Sequence, residues 1–253
     1  MQAKAESFFH YTRSFESLTQ ILSSKFFWPR YCLEDFTWLR EGTPFWAFPM
    51  CSFCDIPFSR VESHTNVYGR YGIGLHRSWG INVGLNPVLY VNENSVLSEH
   101  LNKVLSLGKN KDVDGNLLDI EAFDAALGIF SFIKPTTGRT LRANRLVAVD
   151  FHLECEWRWV PCHFSHQSFY EEQFIVSPEE FNDQNFLTAA HAVTREFGLI
   201  FSPGDIAYMV VNTNQEVAAL VDFIENTFAA VLSPQNLKVL FTKITSLEML
   251  SDV

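Results

Sequence analysis

Short apolar runs and amphipathic stretches alternate along this chain, and none of them is repeated. Phe8–Thr12 reads as a short strand. Directly behind it, residues 14–25 place Phe15, Leu18, Ile21 and Leu22 on one helical face, with Ser14 positioned to cap. Strand-like runs return at 45–55, 86–91, 145–162 and 206–212, and Pro49 is expected to put the first part of its run at an edge or turn. Helical spacing returns at 94–109, 117–133, 178–197 and 214–232, the last with Leu220, Phe223 and Ile224 facing inward. Residues 112–116 read as a turn and 237–244 as a closing strand. Without a repeat, a heptad register or a low-complexity linker, the alternation predicts one mixed α+β domain over residues 1–253.

The composition supports a packed domain and narrows its partners. Hydrophobic residues make up 47 % of the 253, enough for a sizeable core. The formal net charge of −10 argues against a broad nucleic-acid surface, because phosphate contacts dominate such affinity; a small local basic pocket stays compatible with it. No apolar run is long enough for a membrane span, and the start lacks the charged and apolar regions of a signal peptide. Five cysteines, an odd number in a chain of this size, point to a reducing, cytoplasmic setting.

Four motifs carry potential chemistry. Tyr68-Gly69-Arg70-Tyr71-Gly72-Ile73-Gly74 crowds glycines among aromatics, yet lacks the Gly-Lys-Ser/Thr ending of a phosphate loop and the spacing of a dinucleotide fingerprint. Cys51 and Cys54 have the spacing of a zinc half-site that Cys162, His163 and His166 could complete. A second such pair is missing, so two small buried thiols and no metal are expected. Glu154 and Glu156 would share one face of a strand with Arg158. That arrangement is either a Glu–Arg surface ladder or a catalytic carboxylate beside a helper. His10 is a lone histidine on a strand, and such residues are more often satisfied than catalytic.

Taken in order, FFHYTRSFESLTQIL, MCSFCDIPFSRVESHTNVYGRYGIGLHRSWG, NPVLYV, SFIKP and ECEWRWVP resemble the AbiGi-type abortive phage-resistance proteins, from about His10 to the closing FTKITSLEML. The resemblance implies a role in phage defence. It also implies a toxin or antitoxin partner protein, since members are labelled the antitoxin of a defence pair.

The N-terminal His-x-Thr strand, the helix after it, the central tyrosines and the late Glu-x-Glu also resemble DarT-like ADP-ribosyltransferases. This second resemblance implies a split mixed sheet with flanking helices, NAD as substrate, and a protein or nucleic-acid acceptor. His10 would hold the reacting ribose, with Thr12 beside it, and Tyr68 or Tyr71 would stack on nicotinamide. Arg13 and Arg70 would face the pyrophosphate. Glu156 would stabilise the oxocarbenium-like transition state, and Glu154 would orient the acceptor. The glycines would then let backbone approach a flat ring closely.

Overall fold

The structure, a computed structural model, describes residues 6–39, 45–108, 120–142, 145–161 and 175–251. It is a mixed α+β arrangement in two compact units, each assembled from separate stretches of chain.

The first unit takes the chain up to Phe27, then Ser52–Leu85, then Leu199 onward. Its sheet is mixed. The strand Ser7–Thr12 runs antiparallel to Tyr71–His76, which runs antiparallel to Ile206–Val211, which runs parallel to Ile244–Ser246. The end of the long strand Phe45–Cys54 joins the other side of Ser7–Thr12 through Phe9 and Cys54. The helix Phe15–Ser24 forms as its apolar spacing requires. Ser14 accepts from the Ser17 amide and Leu18 and Leu22 are buried, and the helix stops at Lys25, whose φ of 54° is left-handed. The helix Asn214–Phe228 opens on a reciprocal Thr213–Glu216 cap and buries Leu220, Ile224 and Phe228.

The second unit takes Trp28–Cys51 and Asn86–Gly198. Arg30–Asp35 pairs antiparallel with the first part of Phe45–Cys54, which continues unbroken through a buried Pro49 opposite Tyr31. Glu156–Trp159 pairs antiparallel with Asn86–Pro87. Leu89–Val91 and Ile133–Pro135 form a parallel pair, and Gly138–Arg142 forms a hairpin with Arg145–Val149. The helices Val96–Gly108 and Ile120–Phe130 pack together, and Leu101, Leu105, Leu127 and Phe130 from them join Phe36, Phe48 and Val160 in one core.

Several expectations change in detail. Residues 237–244 are not a closing strand. Ser233 caps and Pro234 opens a helix to Phe241 that buries Leu237 and Leu240, and only Ile244–Ser246 is strand. The 86–91 run divides into two short strands around Val88. The 178–197 run divides at Asp183, whose extended backbone ends one helix, while its side chain caps the next. The predicted turn at 112–116 lies outside the described residues. No helix among the described residues is long and apolar enough to cross a membrane.

Candidate functional site

The first unit brings six of the expected site residues to one strand pair. Ser7–Thr12 and Tyr71–His76 align His10 with Ile73 and Thr12 with Tyr71, and Gly69 packs against the Thr12 carbonyl. His10, Thr12, Arg13, Tyr68, Arg70 and Tyr71 therefore all lie on or beside these strands. Their local commitments are structural. The His10 Nδ1 sits 2.8 Å from the Ser52 carbonyl oxygen, so Nδ1 carries the proton and donates it. Burial beside Phe27 and Phe53 holds the imidazole below its ordinary range, hence neutral. Thr12 donates to the Ser14 carbonyl. The Tyr71 hydroxyl donates at 2.7 Å to Glu216, the capping carboxylate of the Asn214–Phe228 helix; burial and that bond push the phenol up to about 12. Tyr68 is exposed and lies against His64, with ring centroids 4.4 Å apart. Arg13 and Arg70 are exposed.

The crowded glycines accommodate flat rings that belong to the chain itself. Gly72 lies opposite Tyr11 and Gly74 opposite Phe9, and a Cβ at either glycine would come within 2.6 Å of that ring. Phe9 stacks with both Tyr11 and Tyr208, at 5.8 Å in each case. Gly69 serves a different need, a φ of +131° with the Thr12 carbonyl where a side chain would begin.

The second unit holds Glu154 and Glu156, and there the strand expectation is corrected. Glu154 ends a short 3-10 turn, Phe151–Glu154, and only Glu156–Trp159 is strand. Cys155 between them is left-handed, with a φ of 45°. This break re-aims the chain, and both carboxylates reach the Lys134 ammonium, Glu156 at 2.8 Å and Glu154 at 3.0 Å. Arg158, fully buried, sits two residues from Glu156 on the same strand face. Its Nε donates to Glu156 at 2.8 Å, one terminal nitrogen to the Ser131 carbonyl at 2.7 Å, and the other to Glu34 at 2.5 Å and to Glu156 at 3.1 Å. The Tyr90 hydroxyl accepts from the Glu156 amide at 2.8 Å. The Glu156–Arg158 pair anticipated as a surface ladder is thus real but buried, and it is part of a five-charge cluster.

The electrostatics follow from three acids sharing two bases. Burial alone would raise every carboxyl here, but Arg158 and Lys134 hold Glu156 far below the carboxylate range, so it stays ionised. Glu34 goes the other way: its desolvation outweighs the pull of Arg158 and Lys134, and its carboxyl lies above the ordinary range. The surplus negative charge of the cluster is therefore the one most readily cancelled by a proton, at Glu34. Burial and the neighbouring Glu34 also push the Cys32 thiol up to about 12.

Sequence reasoning missed Glu34 and Lys134. Each is a charged residue inside a short apolar strand run, YCLED and FIKP, and that signal marks a buried partner. Cys51 and Cys54 are buried, and the Cys51 thiol is pushed up by burial. Cys162, His163 and His166 lie outside the described residues.

Comparison with known proteins gives two matches. Residues 25–212, the span that contains all five clustered charges, match a family described as "Putative abortive phage resistance protein AbiGi, antitoxin". An abortive phage resistance protein AbiGi from Lactococcus lactis subsp. cremoris is 30 % identical over 220 residues, covering 79 % of this chain and 87 % of that relative. No solved structure matches. Neither description mentions NAD or ADP-ribosyl transfer.

Proposed function

The chain belongs to the AbiGi family of abortive phage resistance proteins, and from that premise we propose that it acts as the antitoxin of a phage-defence pair, restraining a toxin partner protein by binding rather than by catalysis. The match to a family described as antitoxin carries the reading. The geometry is consistent with it. Both Glu156 oxygens are engaged by Arg158 and Lys134, the Tyr71 hydroxyl donates to the helix-capping Glu216, and the half-buried His10 donates to a carbonyl. A cluster of this kind fixes the arrangement of strands and helices on which a binding surface is displayed.

The test pairs growth rescue with chemistry. Cells expressing a candidate toxin should regain growth when this chain is co-expressed, and the purified pair should co-elute as one complex. The purified chain, alone or in that complex, should leave NAD unconsumed. NAD turnover abolished by Glu156→Gln in a variant that stays folded would replace the antitoxin reading with an ADP-ribosyl transferase using NAD.

A further inference from the structure

A second group of charged side chains lies in the second unit, apart from the five-charge cluster. Trp28 carries two guanidinium groups over its indole, Arg30 at 4.0 Å and Arg195 at 4.5 Å from the ring centroid. Both arginines are exposed, and among the described residues neither forms an ion pair with a carboxylate. In a chain of net charge −10, two cations gathered on one ring without a counter-charge are out of keeping with the rest of the surface. Their proximity is felt: burial and Arg195 both hold Arg30 below its usual range.

His191 adds a third donor. Its Nε2 lies 3.1 Å from the Tyr31 amide nitrogen and can only accept from that N–H. The proton of the neutral ring therefore resides on Nδ1. That Nδ1–H faces Arg30, whose terminal nitrogen is 3.4 Å away and is also purely a donor. Two donors this close repel, and an acceptor seated beside both would relieve the repulsion by bridging them. The ring is held in place by its own backbone, since the Trp28 indole N–H and the Thr194 hydroxyl both donate to the His191 carbonyl. Burial and Arg30 lower the imidazole's affinity for a proton, which keeps the ring neutral near neutral pH.

We propose that Arg30, Arg195 and the Nδ1–H of His191 form a binding site for the phosphate group of a small ligand. A phosphate supplies several acceptor oxygens and up to two negative charges, matching two guanidinium forks and one imidazole N–H; a carboxylate offers one charge. The stacked indole fixes the guanidiniums in advance, so little side-chain freedom is lost on binding. A small ligand fits better than a nucleic-acid strand. One phosphate meets only the local field of the site, whereas a polyanion would extend over an acidic protein. This site stands independently of the antitoxin reading, because its test needs no partner protein.

The experiment titrates the full chain with inorganic phosphate, with a nucleoside 5′-monophosphate and with a short single-stranded RNA. Binding is followed by calorimetry and by the imidazole nitrogen signals of His191, in about 0.15 M chloride to screen non-specific attraction. Saturable binding of phosphate or of the monophosphate is expected, with a shift at His191 Nδ1. Affinity should fall roughly tenfold or more in Arg30→Gln and in Arg195→Gln, both at exposed positions. Tighter binding of the monophosphate than of phosphate identifies a nucleotide-like ligand; equal binding identifies the free anion. Absence of saturable binding, or binding undiminished in both variants, overturns the site. RNA binding that exceeds the monophosphate and depends on the same arginines overturns the small-ligand assignment.

Discussion

Glu156 and Glu34 share one buried arginine and are driven to opposite protonation preferences. Glu156 is depressed when folded, so the unfolded chain binds its proton first. Its contribution is complete above the ordinary glutamate value of about 4.3 and is lost as pH falls through the lower folded value. Glu34 is raised when folded, so its burial penalty is absent below that ordinary value and grows as pH rises through the folded one. Glu156→Gln should therefore cost about 3–5 kcal/mol at neutral pH, the scale for removing one member of a buried ion pair, because Arg158 and Lys134 both lose a bonded carboxylate. Glu34→Gln keeps an oxygen for Arg158 and should cost less than about 1 kcal/mol, or stabilise. Denaturant melts of both variants at pH 7 and pH 4 check this, and equal costs would refute it. A second substitution tests the aromatic face. Gly72→Ala should lose about 1–3 kcal/mol by driving a methyl into the Tyr11 ring. That these glycines admit a flat ring was legible in the sequence. Whose ring they admit was not, because the pairing of Gly72 with Tyr11 is fixed by a strand register between residues far apart in sequence.

Elements were legible where their signals are local. Ser14 as a cap and the Phe15–Leu22 spacing gave the first helix nearly to the residue. The 237–244 stretch was misread because its apolar positions fit either period, and the deciding signal, Ser233-Pro234, lies outside the stretch itself. The Glu154–Glu156 stretch was misread because a non-glycine left-handed residue, Cys155, breaks it, and nothing in a cysteine announces that conformation. Lys25 ends the first helix in the same left-handed region. Lys25→Gly should raise stability by up to about 1 kcal/mol, because glycine takes this cap without strain. A melting curve decides it, and a loss of stability would show that the lysine side chain contributes more than its backbone strain costs.

At the scale of the whole molecule, the alternation of strand-like and helical stretches foretold a mixed α+β chain, composition foretold a large core, and the family resemblance foretold the defence family; the grouping into two units was not legible. Neither unit is a continuous stretch, and the chain passes from one to the other four times, at 27/28, 51/52, 85/86 and 198/199. No linker composition marks such crossings. A chain truncated after Gly198 should keep protease protection over the core helices Val96–Gly108 and Ile120–Phe130 while Ser52–Leu85 becomes cleavable, since Tyr71–His76 would lose its partner Ile206–Val211. Equal protection of both regions would contradict this.

That interleaving also sets an order of events on the ribosome. The second unit has all its residues once Gly198 has emerged, whereas Tyr71–His76 waits for Ile206–Val211, more than a hundred residues downstream. A nascent chain would thus hold one finished body and one open sheet edge until Ile206–Val211 has emerged. Whatever the first unit recognises can be recognised only once Ile206–Val211 has been made, so a message cut short before that strand yields no partly active protein from that half.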